Sequence, residues 1–203
     1  MFNIKKMSKI NFYELIPKGE KKINPNYATH GIDLPFRMLI AAPSGSGKTN
    51  QLMNLIAHMD KTFHEIIICV KSADEPLYEM MINKLKNIVV YESGEVPLLS
   101  QYSKIDDKTK RLKRLDKKQR LIVFDDLITD RRANQIASEY YIKGRKLGFS
   151  MCYIGQSFYQ IPKMIRDNCQ IFLLGRNLLK RDLKLILSTF PTEITLDEFV
   201  DLY

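Results

Sequence analysis

No apolar run in this 203-residue chain approaches the ~18 to 20 residues needed to cross a bilayer. The opening stretch MFNIKKMSKINFYELIPKGEKK also lacks the uninterrupted apolar centre of a signal peptide. An intracellular protein without a membrane span is the expectation. Cysteine is scarce: Cys69, Cys152 and Cys169 are odd in number, lie in apolar, strand-like surroundings and show no C-x-x-C spacing. They read as buried free thiols, not as disulfides or metal ligands. There is no internal repeat, no low-complexity linker and no N-K-x-D element of the kind GTPases use to read a base. With 45% hydrophobic and 27% charged residues and a mean hydropathy of −0.23, neither disorder nor a fibrous class is indicated.

What the chain does contain is an alternation of short β-branched runs with longer amphipathic ones, the order expected of a parallel sheet with crossover helices. FRMLIAA (Phe36 to Ala42), EIIICV (Glu65 to Val70), NIVVYE (Asn87 to Glu92), RLIVFDDL from Arg120, FSMCYIGQS from Phe149 and QIFLLGR from Gln170 are the candidate strands. Between them, TNQLMNLIAHMD, Pro76 to Leu85, RRANQIASEYYIKGRKLG closing at Gly148, and FYQIPKMIRDN held at Pro162 read as helices. A tail follows, with Leu178 to Ser188 helical and TLDEFVDLY a last short helix that Thr195 caps over Glu198. The expected organisation is a leader at 1–33 packing on the main domain, a core at 34–176 and a helical tail at 177–203 of the same domain.

Glycine is also rationed, nine in all, yet two stand almost together in APSGSGKTN. In the pattern G-x-x-x-x-G-K-[ST], glycines let backbone amides turn around phosphate oxygens while the following helix N-terminus adds partial positive charge. Here a strand precedes and a helix follows. Residues Ala42, Pro43, Ser44, Gly45, Ser46, Gly47, Lys48, Thr49 and Asn50 then form the nucleotide loop, Lys48 reaching the β and γ phosphates of ATP and Thr49 ligating Mg²⁺. One position departs from the pattern: its first glycine is Ala42, at a strand end where a small residue can substitute.

LIVFDD, Leu121 to Asp126, supplies the partner motif. A buried strand ends in two carboxylates, and in a doubly wound sheet that end lies beside the phosphate loop. Asp125 is placed to hold Mg²⁺ through water, and Asp126 to polarise the attacking water. A third strand end carries Gln156, whose amide can contact both the γ-phosphate and that water; the competing reading is a loop glutamine satisfied by its own surroundings. Together these residues specify NTP hydrolysis.

A formal net charge of +9 and a pI of about 9.4 favour a polyanionic partner. Much of the excess sits in KIDDKTKRLKRLDKKQR, Lys104 to Arg120, where nine Lys or Arg face three Asp. The segment reads either as a solvated helix face or mobile loop, or as an element facing DNA.

With APSGSGKT, LIVFDD, GRKLGFS (Gly144 to Ser150), the Gln-Ser of IGQS and IRDNCQIFLLGR (Ile165 to Arg176) in this order, the chain resembles the genome-packaging ATPases of large DNA viruses and virophages, the poxvirus-type branch of the FtsK/HerA superfamily. The resemblance runs from about Phe36 to Arg176. It implies a RecA-like α/β fold with a mainly parallel sheet of order 5-1-4-3-2 and helices on both faces. It also implies a homo-oligomeric ring that drives double-stranded DNA into a capsid, with capsid or portal-like vertex proteins as partners and the host-cell cytoplasm as the place of action. Two positions differ from the family pattern: Lys146 stands where a histidine is common, and the acidic motif ends Asp-Asp where many relatives have Asp-Glu. In a ring, an arginine from a neighbour would complete the site. Arg145, expected near the sheet's active edge and projecting outward, is the candidate and Arg166 and Arg176 the runners-up, against the simpler reading that Arg145 caps its own helix. The alternative function is a soluble P-loop kinase for a nucleotide or small metabolite, which would need an arginine-rich lid and an acceptor pocket.

Overall fold

Four of the strands bury both faces, because in each of them successive residues enter two different cores. Met38 and Ile40, Ile66 and Ile68, Leu121 and Val123, and Cys152 and Ile154 join one apolar cluster; Leu39 and Ala41, Ile67 and Cys69, Ile122 and Phe124, and Met151 and Tyr153 join the other. The period-two geometry of a strand makes this division automatic. The computed structural model describes residues 24–109, 111–176, 178–190 and 193–203.

The strands are β1 (Arg37–Ala41), β2 (Glu65–Cys69), β3 (Ile88–Tyr91), β4 (Ser103–Ile105), β5 (Leu112–Arg114), β6 (Arg120–Asp125), β7 (Phe149–Gly155) and β8 (Ile171–Leu174). Six of them make one parallel sheet in the order β3-β2-β6-β7-β1-β8. The expected five-strand order is contained in it as β8-β1-β7-β6-β2, with β3 added outside β2. Helices α2 (Lys48–His58) and α3 (Pro76–Lys84) cover one face through Leu52, Ile56, Tyr78 and Met81. Helices α4 (Arg131–Lys143), α5 (Lys163–Arg166) and α6 (Lys180–Thr189) cover the other through Ala137, Tyr141, Ile165, Leu183 and Ile186. A short turn of helix, α1 (Tyr27–His30), precedes β1, and α7 (Leu196–Leu202) follows α6. Among the described residues no helix is long and apolar enough to cross a membrane.

Local chemistry ends the elements where the sequence says it should. Asp130 caps α4 by accepting from the Ala133 amide at 2.9 Å, and Thr195 and Glu198 form the reciprocal capping box at α7. Gly148 takes the left-handed conformation, φ +87°, after the tight turn 144–147 that finishes α4. The leader at 1–33 lies mostly outside the described residues. Its last part packs on the core where Asn26 Nδ2 donates to the Asp60 carbonyl at 2.8 Å.

The basic segment is neither helix nor featureless loop. β4 and β5 pair antiparallel, Ile105 opposite Leu112, as a short ribbon. Its base is fixed to the starting ends of β6 and β2 by Arg120, which is buried, reaches Asp116 at 2.7 Å and Glu65 at 3.1 Å, and lies over the Tyr102 ring at 5.1 Å.

Candidate active site

Parallel strands all end at the same edge, so their C-terminal residues converge. β1 delivers the phosphate loop there. Gly45 and Gly47 have φ of +73° and +82°, a backbone that residues with a Cβ rarely adopt, and Gly47 is the N-cap of α2. The inward turn read from the sequence is thus present. Lys48 Nζ donates to the Pro43 carbonyl at 2.8 Å and Ser46 Oγ to the same oxygen at 2.6 Å, which folds the loop over its own lysine. Partial burial lowers the Lys48 pKa, opposed by the negative charges of Asp125, Asp126 and Glu75.

β6 brings Asp125 and Asp126 to this edge, and β7 brings Gln156. The Asp125 carboxyl is buried and its pKa is raised to about 6, first by desolvation and then by the charges of Asp126 and Glu75; the hydroxyl of Tyr78 donates to its Oδ2 and pulls the other way. Asp126 is exposed, has φ +53°, and accepts from Gln156 Nε2 at 3.2 and 3.3 Å. Aspartate tolerates this left-handed conformation better than most side chains, and here it turns the carboxylate out of the strand toward β7. Lys48, Thr49, Asp125, Asp126 and Gln156 are therefore assembled as their sequence positions suggested.

The departure at Ala42 has its counterpart on the neighbouring strand. A Cβ placed on Gly175, just after β8, would stand 2.3 Å from the Ala42 Cβ. The two positions share room for a single methyl group. Next to them a cavity of about 300 Å³ opens between the phosphate loop and β8, with Ser46, Gly47, Lys48 and Gln51 on one wall and Gly175 and Arg176 on the other.

A family described as Poxvirus A32 protein matches residues 28–200 of this chain. The chain belongs to that family. Its sequence is 28% identical over 145 residues to the DNA packaging protein OPG160 of Variola virus and of Vaccinia virus (strain Western Reserve), a match that covers 70% of this chain and 53% of each relative. The chain thus spans about half the length of the curated relatives it matches. Its fold is similar to that of the genome packaging NTPase B204 from Sulfolobus turreted icosahedral virus 2, solved with ATP-gammaS, at a TM-score of 0.56 and 13% identity over 83% of this chain and 87% of that one. It is also similar to EssC (ATPases 2 and 3) from Geobacillus thermodenitrificans, at a TM-score of 0.54 and 11% identity over 80% and 36% of the two chains. These likenesses show the fold, a mainly parallel α/β sheet with helices on both faces, shared with NTPases of that kind.

Within this A32-family site, not every residue picked from sequence converges. Arg145 sits in the turn 144–147 before β7 begins, at the edge opposite the phosphate loop. Its guanidinium is close enough to Arg37, the first residue of β1, to help lower the Arg37 pKa after burial has done so. That corrects the expectation that Arg145 lies near the active edge: α4 returns the chain to the starting ends of the strands, so its C-terminus has to arrive there. Arg166, on α5, lies over the Phe158 ring at 5.3 Å. Of the three arginines, Arg176 alone lines the cavity beside the phosphate loop.

Four residues at the site were not read from sequence. Glu75, the N-cap of α3, accepts from Thr49 Oγ1 at 3.3 Å, and Tyr78, one turn on, reaches Asp125. Asn134 on α4 donates to the Leu127 and Ile128 carbonyls at 3.0 and 2.9 Å and accepts from the Tyr153 hydroxyl at 2.6 Å, fixing the chain that leaves Asp126. Asp182 on α6 is buried and accepts from Ser157 Oγ and the Tyr159 amide, both at 2.7 Å, fixing the turn that carries Gln156. Only a capping signal at Glu75-Pro76 was visible locally; the other contacts join positions far apart in the chain.

Proposed function

We propose that this chain is an ATP-hydrolysing motor that moves double-stranded DNA into a viral capsid, working as a homo-oligomeric ring at the assembly site in the host cytoplasm. The observation that carries the reading is the convergence of Lys48, Thr49, Asp125, Asp126 and Gln156 on one sheet edge, in a family whose matched relatives are DNA packaging proteins. The phosphates of ATP lie in the loop 42–50 against the α2 N-terminus, with Lys48 turned from the Pro43 carbonyl toward them. β1 has two neighbours, and the reacting groups stand on the β7 side; the nucleoside extends to the β8 side, into the cavity that Arg176 lines.

Mg²⁺ suits the oxygen donors present. Among the described residues there is no cluster of three or more His, Cys, Asp or Glu fit for a metal, and one hydroxyl with one carboxylate plus substrate phosphates is how Mg²⁺ is usually held. Thr49 and Asp125 would hold it; bound, it neutralises charge that develops on the phosphates. Asp126 orients the attacking water and accepts its proton, and Gln156, already bonded to Asp126, holds the water between that carboxylate and the γ-phosphate.

DNA contact falls to the ribbon. Arg120 is buried between Asp116 and Glu65, and Lys113 is tied to Asp106 at 2.6 Å, so part of the segment's positive charge is satisfied internally. Lys104, Lys108, Arg111 and Arg114 are exposed. The same placement weighs against a kinase, since the ribbon lies at the edge opposite the phosphate loop, where it cannot close over phosphates. Arg145, also at that edge, reaches a transferred phosphate only from a neighbouring subunit. The test is whether double-stranded DNA stimulates ATP hydrolysis by the purified protein at moderate salt. Absence of stimulation, with phosphate passing to a small acceptor, would establish the kinase instead.

A further inference from the structure

The loop between β2 and α3 ends in Glu75-Pro76-Leu77-Tyr78. Proline at the first helical position presets the turn, and residues three apart then share a face. On that face stand a carboxylate and a phenol, and each is bonded to a different one of the two residues that would hold Mg²⁺. Glu75 Oε2 accepts from Thr49 Oγ1 at 3.3 Å; the Tyr78 hydroxyl donates to Asp125 Oδ2. Tyr78 is only 1% exposed and packs among Met81, Ile68 and Val123, a setting that phenylalanine would fill equally well. Its hydroxyl is the part that packing does not explain.

We infer that the first turn of α3 is a positioning element for the metal, with Tyr78 fixing the Asp125 carboxylate and Glu75 fixing the Thr49 hydroxyl. Metal ligands are commonly oriented by such outer partners, and removing one costs about 10- to 100-fold in metal affinity. Asp125 Oδ2, held by the phenol, leaves Oδ1 to face the metal or its water. Thr49, held by Glu75, keeps its oxygen lone pairs free because its proton is engaged. α3 acts on the reaction through Asp125 and Thr49, the two residues its first turn is bonded to.

The inference rests on the metal assignment above, and the experiment separates the two. Binding of a fluorescent ATP analogue is titrated with Mg²⁺ for wild type, Tyr78→Phe, Glu75→Ala and Asp125→Asn, and Mn²⁺ occupancy of each complex is measured by electron paramagnetic resonance. Neither readout requires turnover. Tyr78→Phe and Glu75→Ala should each raise the Mg²⁺ concentration for half-maximal binding by about tenfold or more, while affinity for the analogue in EDTA stays near wild type and Glu75→Ala, at an exposed residue, keeps the wild-type melting temperature. Glu75 is exposed, so its variant folds whatever happens at the buried Tyr78. A metal dependence unchanged in both variants, with Asp125→Asn clearly impaired, overturns the role of α3 alone. An Asp125→Asn protein with wild-type metal dependence overturns the metal assignment and this inference together.

Discussion

Replacing Gly175 by alanine tests how tightly the phosphate loop is locked to β8. The added Cβ would stand 2.3 Å from the Ala42 Cβ, where carbon atoms normally approach to about 3.5 Å, so the ends of β1 and β8 must part by about 1 Å. The Gly175 amide donates to the Ala41 carbonyl at 2.9 Å, and that bond resists the movement. Overpacking of this kind costs about 1–3 kcal/mol, and in a domain of this size each kcal/mol lowers the melting temperature by roughly 2–4 °C. Nucleotide affinity should fall as well, because Ala42 begins the loop. Ala42→Gly removes the obstructing methyl; the next neighbours of the new Cβ, the Ala42 Cα at 3.5 Å and the Ala41 carbonyl at 3.8 Å, are ordinary contacts. The double variant Ala42→Gly/Gly175→Ala should therefore recover most of the lost stability and binding, a coupling of about 1–3 kcal/mol. Denaturant unfolding and nucleotide titration of all four proteins give the cycle. If the double variant is as unstable as the two single losses added together, the shared-methyl explanation of Ala42 is wrong.

Lys48→Ala should abolish nucleotide turnover and weaken binding, whereas Asp126→Asn should bind Mg·ATP nearly normally and not hydrolyse it; normal turnover in the second variant would remove Asp126 from the chemistry. Because the Asp125 pKa rises from 3.8 to about 6 on folding, the folded protein binds more protons than the unfolded chain within that window, so stability falls as pH rises through it. The loss is about 3 kcal/mol by pH 7, and unfolding without nucleotide or metal should show Asp125→Asn gaining on wild type between pH 4 and 7, with equal slopes refuting the shift. Replacing Lys104, Lys108, Arg111 and Arg114 by alanine should reduce the slope of log DNA affinity against log salt by up to ~3.6, at ~0.9 per phosphate contact; an unchanged slope would return the ribbon to solvent. For Arg145, an equimolar blend of Arg145→Ala and Lys48→Ala subunits should recover turnover that neither has alone, and mixed rings that remain inactive would exclude action across the interface.

The phosphate loop, the acidic strand end and Gln156 were legible because each is a local pattern at a strand terminus, and parallel strands carry such termini to one edge without further information. Asp126 and Gln156 could be paired for the same reason. Tyr78 could not be paired with Asp125, nor Glu75 with Thr49, since nothing in a helical repeat records which strand end its first turn will meet. Gly175 was read only as part of the last strand, QIFLLGR, and its need to lack a Cβ follows from Ala42 on another strand. Arg145 is a different case. A right-handed crossover between parallel strands brings the chain back to their starting edge, so its distance from the phosphate loop was implicit in the β6-α4-β7 order. The ribbon was obscured by composition, because a count of nine cations says nothing of Arg120 turning inward to Asp116 and Glu65.

β6 begins at that buried Arg120 and ends at Asp125, about 17 Å away at ~3.3 Å per residue. Every residue between is enclosed, and a slip of one position would turn each side chain into the wrong core. The strand is thus a strut without slack, clamped to the ribbon at one end and carrying at the other the carboxylate proposed for Mg²⁺. On this geometry a load applied to the ribbon would reach the phosphate-loop edge as rotation of the whole sheet, and in the proposed ring the compliance would reside in the joints between subunits.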